Sequence, residues 1–307
     1  DLTFAKIRFD ERSLVTVLWD LRRLEDPMAR ALCWAALWDA CRDAELLAAD
    51  FVGAVLANVD GERDPAVVAT LLTQARTAAT LFADGPTLRD ALAQASAAAV
   101  WSGDSGDLQL VHLRALAGVA DGLSHPPMLQ GLLDGQDVPA GLLVDTDLRW
   151  TLVQALAGLG AIDEAAIETE LVRDATSAGQ RSAATARAAL PDADAKQRAW
   201  SAAVGDLSLS NAEAHALARG FWQPGQDALL EPYVDRYVAE LPGLWQVRTP
   251  EVVGRLTQLL FPSTLVRADV LDRTEPLLAE HHPAGLRRLV AEQRDDLRRA
   301  VAARAVR

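Results

Sequence analysis

Many stretches of the sequence place apolar residues three or four positions apart, and short segments rich in Gly, Pro, Asp and Ser separate them. This spacing puts the apolar side chains on one face of an α-helix, and the separating segments, such as GERD, ADGP and QPGQ, have the composition of tight turns. Three stretches begin with a proline that follows Asp26, Asp64 or Thr249, a pair typical of a helix N-terminus. Only residues 2–9 resemble a β-strand, so we predict an all-α protein.

Each predicted helix has an apolar face that a single neighbouring helix would not cover. Consecutive amphipathic helices bury such faces by stacking in a row, as HEAT and armadillo repeats do. We therefore predict an all-α, HEAT/armadillo-like α-solenoid, a curved superhelix of antiparallel helix pairs with roughly fourteen to eighteen helices. Residues 1–307 are expected to form a single helical-repeat domain. Because no repeat is visible at the level of individual letters, an irregular helical bundle remains the structural alternative.

The composition excludes several classes of partner. A hydrophobic content of 50% over 307 residues is ample for a large core. The 43 acidic residues exceed the 30 basic ones, and the net charge of −13 disfavours binding to nucleic acids and to anionic lipid. No apolar run approaches the roughly 20 residues of a membrane span. With only two cysteines, Cys33 and Cys41, a disulfide framework is not expected, and we predict a cytoplasmic protein.

The sequence contains little that is suited to catalysis or to metal binding. The zinc motif H-E-x-x-H is absent, and the only neighbouring histidines, His281 and His282, would point about 100° apart on a helix. We interpret Glu280 to Pro283 as a helix end followed by a proline stop, with a metal site as the alternative. The GDSG tetrapeptide at residues 103–106 resembles the nucleophile segment of trypsin-like proteases, but no β-barrel pattern surrounds it. We expect no catalytic residue and no metal ligand in this chain.

The C-terminal segment differs in charge from the rest of the chain. From residue 284 onward it has seven arginines and three acidic residues, a net charge of +4. We interpret it as a helix with a solvated face, on which residues such as Asp295 and Arg299 pair one turn apart or acidic neighbours are contacted. The alternative is a docking patch that attracts carboxylates.

Three parts of the sequence carry a resemblance to a known family. They are residues 30–52, RALCWAALWDACRDAELLAADFV, residues 141–200, which begin GLLVDTDLRWTLVQALAGLG, and residues 218–245, ARGFWQPGQDALLEPYVDRYVAELPGLW. In this order they resemble the helical C-terminal domain of bacterial, particularly actinobacterial, aminopeptidase N zinc metallopeptidases. The corresponding domain of the endoplasmic-reticulum aminopeptidases is similar. The three segments together are far more specific than any tetrapeptide.

The resemblance implies a domain that arches over the catalytic domain of the same polypeptide and closes a chamber around peptide substrates. In that family the G-x-M-E-N and H-E-x-x-H motifs belong to the preceding domains, and neither motif occurs here. The zinc cofactor is therefore expected in the missing catalytic domain and not in this chain. The chain begins at Asp1 without an initiator methionine, and we expect it to be part of a longer polypeptide.

Eight residues beside predicted turns carry guanidinium, indole or amide groups, which suit the carboxylate and amide groups of a peptide. These candidate substrate-binding residues are Arg149, Trp150, Gln180, Arg181, Arg219, Trp222, Gln223 and Gln226. The alternative for each is a structural role. Arg149 would then pair with Asp145 or Asp147, the tryptophans would anchor neighbouring helices, and residues 223–226 would form a turn.

Two functions remain compatible with the sequence. The first is the C-terminal domain of a zinc-dependent aminopeptidase, which caps the active-site chamber and contributes to peptide access and binding. The second is a free-standing α-solenoid adaptor that binds a protein partner. A reading frame that extends upstream and encodes H-E-x-x-H would distinguish the first from the second.

Overall fold

The computed structural model describes residues 6–102, 106–121 and 124–306. Within these residues the chain forms seventeen α-helices and no β-strand, which confirms the predicted all-α class. Residues 6–9 of the strand-like segment have no regular structure, and its residues 2–5 lie outside the described part. None of the described helices is both long and apolar enough to span a membrane.

Backbone contacts divide the chain into two compact units. The first unit comprises Asp1–Ala120, Pro139–Leu143 and Arg299–Arg307, and the second comprises Asp121–Val138 and Val144–Arg298. The single-domain organisation and the superhelical curvature stay predictions.

The helices follow one another closely along the chain. Those that begin in the first unit are α1 (Glu11–Asp20), α2 (Pro27–Arg42), α3 (Ala48–Asn58), α4 (Pro65–Thr77), α5 (Thr87–Val100) and α6 (Gly106–Val119). Those that begin in the second unit are α7 (Pro126–Leu133), α8 (Thr146–Gly158), α9 (Glu164–Arg173), α10 (Ser177–Ala189), α11 (Ala193–Gly205), α12 (Asn211–Phe221), α13 (Asp227–Leu230), α14 (Pro232–Val247), α15 (Pro250–Leu259), α16 (Ala268–Thr274) and α17 (Ala284–Ala305). Short 3₁₀ turns at Leu21–Arg23, Val59–Gly61 and Glu275–Leu278 and a π-helical turn at Ala78–Phe82 extend four of them.

The three helix starts predicted from proline are confirmed. At α2 the Asp26 carboxylate accepts a hydrogen bond of 2.9 Å from the Met28 amide, and at α4 Asp64 accepts one of 2.8 Å from Ala66. These bonds satisfy amides that the first helical turn leaves free. At α15 Thr249 occupies the N-cap position without a side-chain bond to the helix.

Two other prolines lie at helix starts that the sequence analysis does not predict. The LSHPP segment has the composition of a break, but Pro126 is the first residue of α7. The helical turn before Pro283 ends at Leu278, in agreement with the helix end that the sequence indicates, but Pro283 also directly precedes α17, and its carbonyl accepts the Arg287 amide at 3.1 Å. The reason is the same in both cases, because proline has the φ angle of a first helical turn and needs no hydrogen-bond acceptor there. Of the GDSG tetrapeptide, residues 103–105 lie outside the described part, and Gly106 begins α6.

In the first unit, an aromatic cluster and a buried ion pair hold α2 in place. The Trp38 ring lies 5.2 Å from that of Phe51 and 5.8 Å from that of Phe82. One turn earlier the Trp34 indole donates to Glu62 at 3.0 Å, and the Arg30 guanidinium binds the same carboxylate through two nitrogens at 3.0 and 3.1 Å. The buried carboxylate is thus fully paired, as a buried charge must be.

In the second unit, alternate helices run in the same direction. His215 of α12 hydrogen-bonds the Val252 carbonyl of α15, and seven residues later Trp222 donates to the Leu260 carbonyl. Along both helices the contacting positions move in the same direction, so α12 and α15 are parallel. By the same criterion α11 and α14 are parallel, since Arg236 contacts Gln197 and Glu240 contacts Trp200.

The row of parallel helices continues on the other side of α12. Thr185 of α10 donates to the Ala216 carbonyl of α12 at 3.0 Å, and Gln154 of α8 donates to the Ser182 carbonyl of α10 at 3.3 Å. A glycine permits the first of these approaches, because a Cβ at Gly220 would lie 2.0 Å from the Thr185 carbonyl oxygen. The row α8, α10, α12 and α15 therefore presents its helix N-termini at one end and its C-termini at the other, and these two ends carry the candidate residues.

Candidate functional site

The eight candidate residues fall at opposite ends of the helix row in the second unit. Arg149, Trp150, Gln180 and Arg181 lie in the first turns of α8 and α10, and the other four lie at or just after the last turn of α12. Arg181 faces Glu213, and from Glu213 to Arg219 the α12 axis rises about 9 Å. The structure therefore does not bring the eight residues into one pocket but forms two groups.

Arg149 is held by the protein itself. Its Nε and Nη2 atoms donate to the two carboxylate oxygens of Glu170 on α9 at 2.7 and 2.6 Å, and its Nη1 donates to the Leu133 carbonyl at the end of α7 at 2.7 Å. Hydrogen bonding to Glu170 raises the pKa of Arg149 further. A structural role for Arg149 was expected to involve Asp145 or Asp147. Instead, the Asp145 carboxylate accepts a hydrogen bond from the Leu148 amide and caps the start of α8. All three nitrogen atoms of the guanidinium thus donate hydrogen bonds within the protein, and Arg149 joins α7, α8 and α9.

Trp150 is also committed to an internal contact. Its side chain is buried, and its indole nitrogen donates to the Asp174 carboxylate at 2.8 Å, between α9 and α10. Hydrogen bonds from the Thr176 hydroxyl and then from Trp150 lower the pKa of Asp174. Gly179 makes room for Asp174, because a Cβ there would lie 1.9 Å from the backbone carbonyl oxygen of Asp174 and 2.7 Å from its Oδ2 atom. Trp150 therefore anchors α8 to the start of α10.

Gln180 and Arg181 are more accessible. Gln180 is exposed and Arg181 half-buried, both in the first turn of α10. The Arg181 charge acts on Glu213 in the first turn of α12, whose pKa is lowered mainly by the Ser210 hydroxyl and to a smaller extent by this charge. No hydrogen bond within residues 6–102, 106–121 and 124–306 fixes the Arg181 guanidinium. Arg181 thus carries a cationic group that is free to contact a ligand.

Arg219 is exposed in the last turn of α12. Among the described residues no hydrogen bond or ion pair holds its side chain. The preceding and following residues, Ala218 and Gly220, are buried against the neighbouring helices, so the backbone at this position is fixed while the side chain is free. Arg219 presents the second unpaired guanidinium of the candidate set.

The remaining three candidates form the turn that follows α12. The Trp222 indole donates to the Leu260 carbonyl at 2.8 Å, and Gln223 donates to the Gly220 carbonyl at 2.9 Å. Gly225, with a φ of 81°, has the left-handed conformation that glycine adopts without strain. Buried Gln226 donates to the carbonyls of Gly158 and Ala189 at 2.9 Å each, which satisfies the C-terminal ends of α8 and α10. These contacts agree with the structural alternative.

Sequence reasoning missed Lys196, which lies at the same end of the row. Its side chain is fully buried, and Nζ donates to the carbonyls of Ala188 and Phe221, in the last turns of α10 and α12, at 2.7 and 2.8 Å. The Phe221 ring centre lies 5.3 Å away. Burial lowers the pKa of Lys196 to about 7. One signal was available, because Lys196 is four residues before Trp200 and so shares its buried helix face.

The described residues do not fit a zinc ion. In residues 6–102, 106–121 and 124–306 no group of three His, Cys, Asp or Glu side chains could hold a metal. The rings of His281 and His282 lie 4.0 Å apart, and burial together with the His281 charge lowers the pKa of His282. Cys33 and Cys41 are free thiols, and burial raises the pKa of Cys41 to about 12, which makes it a poor metal ligand.

Acidic neighbours accompany the basic C-terminal segment. In the second unit Arg288 pairs with Glu292 at 2.6 Å, and in the first unit Arg304 pairs with Asp84 at 3.1 Å. Further pairs join Arg294 to Glu275, Arg298 to Asp295 and Arg299 to Asp43. The excess of arginines is therefore largely compensated by carboxylates of the same chain, in agreement with the paired-helix interpretation.

Comparison with known proteins gives a family for this arrangement. Residues 1–299 match the model of the ERAP1-like C-terminal domain family. The chain is also 42% identical over 311 residues to Aminopeptidase N of Streptomyces lividans, a match that covers 99% of this chain and 36% of that relative. The chain belongs to the ERAP1-like C-terminal domain family.

Proposed function

We propose that this chain is the C-terminal domain of a zinc-dependent aminopeptidase, in which another part of the polypeptide removes the N-terminal residue of a peptide. The observation that carries this proposal is the match with Aminopeptidase N, which extends over 99% of the chain but only 36% of the relative. In this proposal the hydrolytic chemistry belongs to another part of the polypeptide, which is supported by the lack of a three-ligand metal group among the described residues.

In this proposal the domain caps the active-site chamber and binds the remote part of the peptide. Gln180, Arg181 and Arg219 are the candidates for contact, since their side chains are exposed or half-buried and lack fixed partners in the described structure. Guanidinium groups bind carboxylates and peptide carbonyls through charge-assisted hydrogen bonds. Contacts far from the scissile bond hold the substrate in position without taking part in bond breaking.

The other five candidates have a supporting role in this proposal. Arg149, Trp150, Trp222, Gln223 and Gln226 donate to carboxylates and helix-end carbonyls of the second unit. They fix the ends of the helices that carry the three contact residues. Their loss is expected to lower stability first and substrate binding only as a consequence.

The test begins with the reading frame that encodes this chain. We expect it to extend upstream and to encode H-E-x-x-H, and we expect the full polypeptide to contain one zinc ion and to hydrolyse an aminoacyl anilide. A chelator should abolish this hydrolysis and added zinc should restore it. A start codon directly before Asp1, or a full polypeptide without zinc and without anilide hydrolysis, would contradict the proposal and favour an adaptor.

A further inference from the structure

Helix α2 is apolar on its outer face as well as on its inner face. On the inner face Trp34, Leu37 and Cys41 are buried. On the outer face Met28 is 68% exposed and Leu32 is 52% exposed. The alanines at positions 31 and 35, which share this face, are exposed too. A helix that is apolar all round is normally buried on all sides, whereas the outer face of α2 has no covering neighbour among the residues that the structure describes.

The charged residue in this part of α2 does not interrupt the apolar face. Arg30 is directed away from it, with its guanidinium bound to Glu62 and to the Leu24 and Glu25 carbonyls at 2.7 to 3.1 Å. The first nine residues of α2, Pro27 to Ala35, therefore offer solvent no charge other than this paired one. We therefore expect a partner that covers this face to be largely apolar, since exposed apolar side chains are matched by apolar groups at an interface.

The preceding helix adds two further exposed apolar side chains. Val15 and Trp19 of α1 are 57% and 59% exposed and lie one helical turn apart, while Leu24 is exposed in the connection to α2. We name Val15, Trp19, Leu24, Met28 and Leu32 the α1–α2 apolar surface. Tryptophan and methionine are enriched at the buried centres of protein interfaces, so exposed side chains of these types on two consecutive helices are candidates for an interaction site. All five belong to the first unit.

We propose that the α1–α2 apolar surface is the docking surface for the part of the polypeptide that precedes this domain, an inference that rests on the proposed function. The family is a C-terminal domain, and 36% of the relative is spanned by this chain, so most of such a polypeptide comes before it. The surface is formed by the first two helices, close in sequence to that preceding part. A covalently linked neighbour is present at high effective concentration and docks on an apolar surface without a large loss of entropy.

A photo-cross-linking experiment on the full polypeptide tests this inference. Leu32→p-benzoyl-phenylalanine places the reactive group on the outer face of α2, and Val172→p-benzoyl-phenylalanine on α9, where Val172 is 74% exposed, is the matched control. We expect the position-32 probe to form intramolecular cross-links, at monomer mass, with peptides that precede Asp1. The yield should be about tenfold higher than that of the control, because only a docked surface holds the probe against one partner.

A second measurement uses the Met28→Glu, Leu32→Glu double variant of the full polypeptide. Two carboxylates on the docking surface should loosen the preceding part and make the segment before Asp1 at least roughly tenfold more sensitive to limited proteolysis, because buried unpaired charges are costly. Val172→Glu should leave the cleavage rate unchanged. Cross-links to a second copy, cross-links only within this domain, or unchanged proteolysis of the double variant would overturn the inference.

The outcome for the docking surface is separable from that for the proposed function. Zinc content and anilide hydrolysis of the unmodified full polypeptide report on the function alone. An active zinc enzyme in which position 32 forms no cross-link to the preceding part refutes the docking surface and leaves the function in place. A reading frame without a preceding part refutes both, and it is recognised by the absence of zinc and hydrolysis.

Discussion

The Lys196 Nζ atom lies 2.8 Å from the Phe221 carbonyl oxygen and 5.3 Å from the centre of the Phe221 ring, in a site without solvent exposure. A second bond of 2.7 Å to the Ala188 carbonyl makes this one side chain the link between the C-terminal ends of α10 and α12. A neutral amine has two N–H groups and can keep both bonds, whereas the charged form loses its hydration on burial.

The pH dependence of stability follows from this site. Burial lowers the pKa of Lys196 from 10.5 to about 7 in the folded chain. Between these two values the unfolded state binds more protons than the folded state, so the stability contributed by Lys196 rises with pH over this range and is lost as pH falls from 10.5 to about 7. Urea unfolding should show a slope of up to about 1.4 kcal/mol per pH unit between pH 7 and 10 that Lys196→Met lacks. Equal slopes for both proteins would show that the two helix ends keep the ammonium charged.

Removing Arg149 should lower stability strongly. Glu170 is buried, and Arg149→Ala would leave its carboxylate without the bidentate partner, which costs about 3–5 kcal/mol in the free energy of unfolding. Denaturant unfolding of the purified chain measures this loss. Arg149→Ala, Glu170→Ala should lose less than the single variant, since no buried charge remains unpaired. A single variant within about 0.5 kcal/mol of the parent would mean that solvent already reaches Glu170.

A glycine substitution tests the close packing of α10 against α12. At Gly220 a Cβ would lie 2.0 Å from the Thr185 carbonyl oxygen, so Gly220→Ala must push the two helices apart and should cost about 2–3 kcal/mol. Gly53→Ala is the control, because a Cβ at Gly53 of α3 has no neighbour within 4 Å. The control should be neutral or stabilised by up to about 1 kcal/mol through helix propensity. Similar melting temperatures for Gly220→Ala and the parent would contradict the close approach of α10 and α12 at this position.

Local signals in the sequence predicted the helical class and several helix starts. Asp26 and Asp64 cap α2 and α4 as their position before proline indicates, because capping depends only on neighbouring residues. The exposure of polar side chains was not predictable in this way. Gln226 bonds the carbonyl of Gly158, 68 residues earlier, and this pairing depends on the stacking of α8 and α12, which no local pattern encodes.

Long-range contacts also decide which candidate side chains are available to a ligand. Arg149 and Arg219 have the same side chain beside similar turns, yet one faces Glu170 on the neighbouring helix and the other faces solvent. The family was recognisable because many weakly specific positions agree over the whole chain. The residues that would contact a peptide were not recognisable from the sequence. Whether the Arg149 guanidinium is already paired depends on a single carboxylate, Glu170, 21 residues away.

Arg219 provides the sharpest test of peptide binding. In the full polypeptide, Arg219→Ala should lower kcat/KM for peptides of several residues by roughly tenfold, about 1.4 kcal/mol, and leave a single-residue anilide nearly unchanged, because the short substrate does not reach this side chain. Arg255→Ala is the control, an exposed arginine on α15 whose guanidinium hydrogen-bonds Gln258 at 3.5 Å. Steady-state kinetics on a series of peptide lengths, with melting temperatures for each variant, measures the difference. An equal loss on short and long substrates would show that Arg219 does not contact the peptide, and an equal loss in Arg255→Ala would assign the effect to overall charge.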